Sequence, residues 1–279
     1  MTLMFGYGGY TGMENEKVNY DECFHAFSDR VVLITGGARG IGYACAKEFL
    51  KCGAKVIITG RKQASLEAAK AEMESDNVRL IKWDISDLSV LSEKVDQAIG
   101  FFGKIDILIN NAGVDVTTDG RRFGEWFDFT EKDYDHVLNT NLKAPVFLTR
   151  ELVRRWIKNN KDSQHIVNVC SGCAYKPAKY PYGLSKWGLR AFTQGVGREF
   201  ARNGIIINGI APGATLTDMI QDKDGNKAVD EGGVPAGRCA TPDEVAKAIV
   251  FLASDLADYL VGEVIRFDGG YSFTVLGGE

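Results

Sequence analysis

Proline is scarce in this chain of 279 residues, 6 against 32 glycines, which excludes a proline-rich linker or a collagen-like repeat. A disulfide framework is missing as well: the six cysteines, at positions 23, 45, 52, 170, 173 and 239, are too dispersed for one, so a reducing, cytoplasmic setting is expected. Neither sign of charge dominates. Lys and Arg number 33 against 37 Asp and Glu, a net charge of -4, and no basic stripe exists to follow a phosphate backbone, which excludes nucleic acid as a partner. The longest apolar run, Gly204 to Ala211, has strand length and falls far short of the roughly 20 residues that cross a bilayer, so no membrane association is expected. The opening residues lack the basic segment, apolar core and small-residue cleavage site of a secretory leader.

What the chain does have is alternation. From residue 30 onward, apolar strand-length runs (RVVLIT, AKVIIT, VRLIKW, KIDILIN, HIVNVC, GIIINGIA and GEVIRF) are separated by segments of helical period. Helices are predicted over 40–52, 62–74, 86–102, 131–160, 182–203 and 242–253. Most of the runs are apolar throughout, as expected of parallel strands covered on both faces. The reading is an α/β fold with a seven-stranded parallel sheet. No shift of composition divides residues 30–279, which predicts a single domain; residues 1–29, rich in Gly and Tyr, form an N-terminal extension, either flexible or a subunit-contact arm. In the first predicted helix Ile41, Cys45, Phe49 and Cys52 share a side, which marks both cysteines as core.

The first strand runs into Thr35-Gly36-Gly37-Ala38-Arg39-Gly40-Ile41-Gly42 and then directly into a helix. Glycines there let the backbone turn sharply and approach a pyrophosphate, whose charge is met by the unpaired N–H groups of the helix N-terminus. This places the fold among doubly wound, three-layer dinucleotide-binding (Rossmann) folds. An NAD site usually offers an acid about 20 residues after the glycines. Here the second strand ends Thr59-Gly60-Arg61-Lys62, with no acid. Arg61, joined by Arg39, suits the 2′-phosphate of a phosphorylated dinucleotide, so NADP(H) is preferred over NAD(H).

Further motifs follow in order: Asn110-Asn111-Ala112-Gly113 after the fourth strand, Ser171 after the fifth, Tyr182-Gly183-Leu184-Ser185-Lys186 opening a helix, and Pro212-Gly213 with Thr217 after the sixth. With the glycine turn, these resemble the short-chain dehydrogenase/reductase family over about residues 30–271. The resemblance implies a catalytic tetrad of Asn141, Ser171, Tyr182 and Lys186. Spacing agrees, since residues four apart on a helix share a face about 5–6 Å apart at Cβ. A phenol of pKa near about 10 becomes a usable acid or base if a nearby ammonium favours phenolate. The same likeness implies cofactor contacts at Gly36, Gly40, Ile41 and Gly42, at Asp84 and Ile85 for the adenine, at Asn111, Ala112 and Gly113, at Tyr182 and Lys186 for the nicotinamide ribose, and at Pro212, Gly213 and Thr217. Asp84 is read equally as a helix cap, Thr217 as a turn residue, and Asn110 as a strand-linking side chain.

A substrate lid is expected over about 214–234, and the insertion holding Arg121, Arg122, Phe123, Trp126 and Phe127 is expected to shape the substrate mouth. The implied activity is interconversion of a carbonyl and a secondary alcohol of a small molecule, of which a 3-oxoacyl thioester, a sugar or polyol, and a hydroxysteroid are candidates. A dinucleotide-sensing or scaffolding protein on the same fold is the alternative, and a homodimer or homotetramer is implied. Cys170 and Cys173 make a Cys-x-x-Cys with no second pair, so no metal site is expected.

Overall fold

The computed structural model describes residues 27–115, 126–159, 163–217 and 233–273. Its elements, in chain order, are β1 (Val31–Ile34), α1 (Gly40–Lys51), β2 (Lys55–Gly60), α2 (Gln63–Met73), β3 (Val78–Lys82), α3 (Leu91–Phe102), β4 (Ile107–Asn110), α4 (Glu131–Leu138), α5 (Ala144–Asn159), β5 (Gln164–Val169), α6 (Pro181–Phe200), β6 (Ile205–Pro212), α7 (Pro242–Leu252) and β7 (Val264–Phe267). The seven strands form one parallel sheet in the order β3-β2-β1-β4-β5-β6-β7. The expected α/β doubly wound (Rossmann) three-layer architecture is therefore present. Winding reverses between β1 and β4, and a ligand cleft belongs at the carboxyl ends of the strands beside that reversal.

Burial follows the strand period. Val32 and Ile34 of β1 enter a core shared with Cys45 and Phe49 of α1, Leu66 of α2 and Ile249 of α7. Val31 and Leu33 point the other way, onto Val95 of α3 and Leu148, Leu152 and Trp156 of α5. Every residue of β1, β4, β5 and β6 is buried, whereas the edge strands β3 and β7 are partly open. Cys45 is fully buried and Cys52 packs against the same core, as the helical spacing indicates. The described part of the N-terminal extension begins at Phe27, whose ring meets Phe49 edge-on at 5.1 Å. Residues 1–26, 116–125 and 218–232 lie outside the described residues, and with them most of the extension, Arg121 to Phe123 and most of the expected lid.

Two predicted helices differ from the structure. The helix expected from Ser86 starts at Leu91, because Asp84 and Asp87 each accept the backbone N–H two residues on, from Ser86 at 3.1 Å and Ser89 at 3.0 Å. Such turns compete with helix formation. The segment predicted as one helix over 131–160 is α4 and α5 joined by a π-helical turn, Asn139–Lys143. One extra residue in that turn re-aims its side chains, a device concentrated at functional sites.

Glycine has opposite meanings at two helix positions. A Cβ on Gly197 of α6 would lie 2.5 Å from Gly262 Cα, while one on Gly100 of α3 would meet nothing within 4 Å. In an open helix interior alanine gains about 0.5–1 kcal/mol over glycine, whereas overpacking costs about 1–3 kcal/mol. Gly100→Ala is expected to raise the thermal midpoint and Gly197→Ala to lower it, measured by circular dichroism on both variants.

Candidate active site

The cleft starts at the glycine turn. Gly36 and Gly40 have φ of 68° and 55°, the left-handed region that glycine enters without strain. A Cβ at Gly42 would fall 2.3 Å from the Gly36 carbonyl oxygen and 2.4 Å from Asn111 Nδ2, so the start of α1 closes on the turn only because no side chain intervenes. Ile41 is partly buried behind it. Arg39 stands at the N-cap of α1 without capping it by its side chain, and the first turn carries no acid. N–H groups and dipole thus favour an anion, and a cradle that a Cβ would fill fits a pyrophosphate. Arg61 is exposed just beyond β2, followed by Lys62 at the N-cap of α2, whose first turn also lacks an acid.

Asn111 fastens this turn to the end of β4. Its Nδ2 donates to the carbonyls of Thr35 at 2.9 Å and Gly36 at 3.1 Å, and the N–H groups of Asn111 and Ala112 donate to Thr35 Oγ1, both at 3.0 Å. Asn110 has the strand-linking role: its Nδ2 donates to Asn168 Oδ1 at 2.8 Å and Thr149 Oγ1 at 3.2 Å, and Asn168 Nδ2 donates to Thr193 Oγ1 at 2.9 Å. This buried ladder ties β4, β5, α5 and α6 together. Thr217 reaches the same turn, its Cγ2 lying 3.3 Å from where a Cβ on Gly40 would be. Pro212 ends β6, and the Gly213 N–H donates to the Phe267 carbonyl at 3.0 Å. Asp84 is exposed, and its carboxylate accepts Ser86 Oγ at 2.7 Å in a turn, not as the expected helix cap, since Val90 stands at the N-cap of α3; Ile85 is buried in the core.

The four candidate catalytic residues converge at the carboxyl ends of β4 and β5. Asn141 is fully buried in the π-helical turn. Its Oδ1 accepts the Val114 N–H and its Nδ2 donates to the Val114 carbonyl, both at 2.9 Å, and Nδ2 also donates to Ser185 Oγ at 3.2 Å. Ser185 Oγ in turn donates to the Tyr182 carbonyl at 2.6 Å. Ser171 follows β5, accepts the Cys173 N–H at 3.2 Å and is hydrogen-bonded to the Tyr182 phenol. Tyr182 and Lys186 occupy the first two turns of α6, as their spacing requires. Lys186 is 4% exposed, and its Nζ donates to the Val169 carbonyl at 2.9 Å, 5.6 Å from the Tyr182 ring centroid.

Electrostatics here differs from the expectation that the ammonium acidifies the phenol. Burial pushes the Tyr182 phenol above its ordinary value, more strongly than the Ser171 hydrogen bond lowers it, and burial pushes Lys186 below its own. The reason is positional, since Nζ is bonded to a backbone carbonyl. A phenol so placed is protonated at neutral pH and stands as an acid. Ser185 and Val114, which position Asn141, were not singled out in the sequence; the only signal was a small hydroxyl residue one position before Lys186 on the buried face.

Of the residues expected to shape a substrate mouth, Trp126 and Phe127 are 49% and 84% exposed. Trp126 Nε1 donates to the Lys179 carbonyl at 3.1 Å, and Phe129 packs edge-on against Tyr180 with ring centroids 6.5 Å apart. Cys170 is buried, its thiol pushed up to about 12, while Cys173 is exposed. At the opposite end of β5, His165, Asp255 and Asp258 offer ligand atoms within 4.8 Å of one another. The Arg30 guanidinium is there too, 3.8 Å from Asp255 and 3.3 Å from His165 Nδ1. Because arginine only donates, Nδ1 accepts and Nε2–H donates to Asp258 at 2.9 Å, which fixes a neutral ring.

Burial holds the His165 pKa below the usual value. Above the unfolded value of about 6.5 both states carry a neutral ring; below it the unfolded chain takes up the proton first, so folding stability falls as pH drops through that window. His165→Gln is expected to flatten the fall of the thermal midpoint between about pH 7 and 5, measured by calorimetry; an unchanged slope would contradict the assignment.

A family model described as enoyl-(acyl carrier protein) reductase matches residues 36–272. Gluconate 5-dehydrogenase of Gluconobacter oxydans is 31% identical over 250 residues, covering 87% of this chain and 94% of that protein. The 3-oxoacyl-(acyl-carrier-protein) reductase FabG of Thermotoga maritima is 35% identical over 248 residues, covering 86% and 97%. The crystal structure of the 3-ketoacyl-(acyl-carrier-protein) reductase of Brucella melitensis complexed with NADH superposes with a TM-score of 0.77 at 29% identity, covering 88% of this chain and 99% of that one. The sheet order, the glycine turn and these likenesses agree: the chain belongs to the short-chain dehydrogenase/reductase family of oxidoreductases.

Proposed function

We propose that this protein is an NADP(H)-dependent oxidoreductase that interconverts a carbonyl and a secondary alcohol of a small molecule, with Tyr182 as general acid and base. The observation that carries this reading is the convergence of Asn141, Ser171, Tyr182 and Lys186 beside a glycine turn shaped for a pyrophosphate. The nicotinamide, when bound, supplies or takes up hydride.

The remaining work belongs to the chain. In reduction Ser171 Oγ–H holds the substrate oxygen and the protonated Tyr182 phenol delivers its proton to the developing alkoxide. Lys186 holds positive charge beneath the site and binds the nicotinamide ribose. Asn141, bonded to Ser185 and Val114, supports proton exchange with solvent. Oxidation reverses each step, so it requires phenolate and rises with pH where reduction falls. Gly36, Gly40, Ile41 and Gly42 shape the pyrophosphate site, and Asn111, Ala112, Gly113, Pro212, Gly213 and Thr217 line the nicotinamide half. Asp84 and Ile85 border the adenine end.

Arg39 and Arg61, with no acid after β2, support the phosphorylated cofactor, although the relative from Brucella melitensis holds NADH. A homo-oligomer is supported by a groove of about 410 Å³ between α5 and α6, lined by Val146, Val153, Ile157, Phe192, Val196 and Phe200. No helix among the described residues is long and apolar enough to cross a membrane.

Tyr182→Phe is expected to lower kcat by about 100- to 10,000-fold with dinucleotide affinity retained, followed by absorbance of reduced nicotinamide; near wild-type turnover would refute the assignment. Binding of NADPH without turnover across a broad carbonyl panel would favour the sensing alternative. Replacing Arg39 and Arg61 together by Ser is expected to cut kcat/KM for NADPH by about 10- to 100-fold and leave that for NADH nearly unchanged, as loss of charge-assisted bonds to one phosphate requires.

A further inference from the structure

The strap from Ser171 to Tyr182 joins two members of the catalytic cluster, and its middle is tied down from both sides. The Lys176 N–H donates to the Cys173 carbonyl at 3.4 Å, and the Lys176 carbonyl accepts Trp187 Nε1–H at 2.7 Å. From this anchored position the Lys176 side chain reaches Tyr271, its Nζ lying 3.2 Å from the centroid of the ring. Tyr271 stands in the turn beyond the carboxyl end of β7, and a Cβ on Gly233 would lie 3.8 Å from its Cε2. At the start of the strap, a Cβ on Gly172 would lie 3.6 Å from the carbonyl oxygen of Pro212, the last residue of β6. Lys176 therefore sits at the carboxyl edge of the sheet, against the ends of β6 and β7, beside the turn that lines the nicotinamide half of the proposed cleft.

What this ammonium lacks is an anion. Lys176 is half-buried, and among the described residues its Nζ meets the Tyr271 ring but no carboxylate or carbonyl oxygen. Asp268, the carboxylate of the same turn, is directed to its own backbone, accepting the N–H groups of Gly270 at 3.1 Å and Ser272 at 2.9 Å. The sequence adds none nearby: from Ser163 to Arg198 there is no acid, against Lys176, Lys179, Lys186, Arg190 and Arg198. An aromatic face holds an ammonium in place yet leaves N–H donors for an acceptor. We infer that Lys176 is a specificity-determining residue that binds the carboxylate of an anionic substrate, a keto acid or its hydroxy acid, whose reacting carbon lies at Tyr182. The inference rests on the catalytic reading of Tyr182 and deepens it by naming the substrate class. A charge-assisted bond in such a partly desolvated place is worth about 10- to 100-fold in an equilibrium.

The test follows acetoacetate, levulinate and 5-oxohexanoate, each against its methyl ester, which keeps the ketone and removes the charge. The wild type is expected to prefer the acid by at least about tenfold in kcat/KM at the chain length that spans from the reacting carbon to Lys176. Lys176→Gln is expected to narrow that ratio about 10- to 100-fold, chiefly through KM for the acid, and Lys176→Arg to preserve the preference. A readout independent of turnover is calorimetric binding of the three acids to the protein saturated with NADP+, where Lys176→Gln is expected to weaken the preferred acid about tenfold or more. No preference for the acid at any length, or a Lys176→Gln protein that loses acid and ester alike, would overturn the inference, the second result marking a packing role against Tyr271. Failure of the catalytic reading is seen separately, as turnover surviving in Tyr182→Phe, and the calorimetric comparison then still decides for or against Lys176.

Discussion

The Asn141 carboxamide is the constraint on which the site depends. It binds Val114 on one side and Ser185 on the other, so a single buried side chain couples the loop after β4 to the helix that carries Tyr182 and Lys186. Buried amides are costly unless all their hydrogen-bonding capacity is met, and here Oδ1 and Nδ2 are both engaged. That economy requires the π-helical turn between α4 and α5: an unbroken α-helix would point position 141 elsewhere and leave Val114 without its partner. A distortion of backbone thereby becomes an alignment of chemistry.

The sheet supplies the frame. Parallel strands buried on both faces bring all the carboxyl ends to one edge, and the buried ladder of Asn110, Asn168 and Thr193 holds the two strands nearest the cluster in register with α6. Lys186 is held from the same side, through the carbonyl of the last residue of β5. That bond fixes the position of Nζ, while burial pulls the pKa of Lys186 down.

Much of this was legible in the residues alone. The continuous apolar runs at Val31 to Ile34, Val56 to Ile58 and Ile107 to Ile109 announce doubly covered strands, and the separation of Tyr182 from Lys186 announces a shared helical face. What was not legible depends on three-dimensional competition. Asp84 and Asp87 divert the chain into turns before α3, which a helical period does not reveal. The π-helical turn carries no compositional mark. The spacing of Tyr182 and Lys186 says that they are neighbours, but only the structure shows that burial outweighs the expected acidifying effect and that Nζ is bonded to Val169.

The central claim is that the hydroxyl of Tyr182 faces the reacting carbon of a bound dinucleotide. The most direct measurement is a crystal structure of the protein soaked with NADPH. The account predicts the nicotinamide ring in the cleft between Gly113 and Thr217, its hydride-bearing carbon within a few ångströms of that hydroxyl and its ribose against Lys186. A ring directed away from residue 182, with protein between the two, would contradict it.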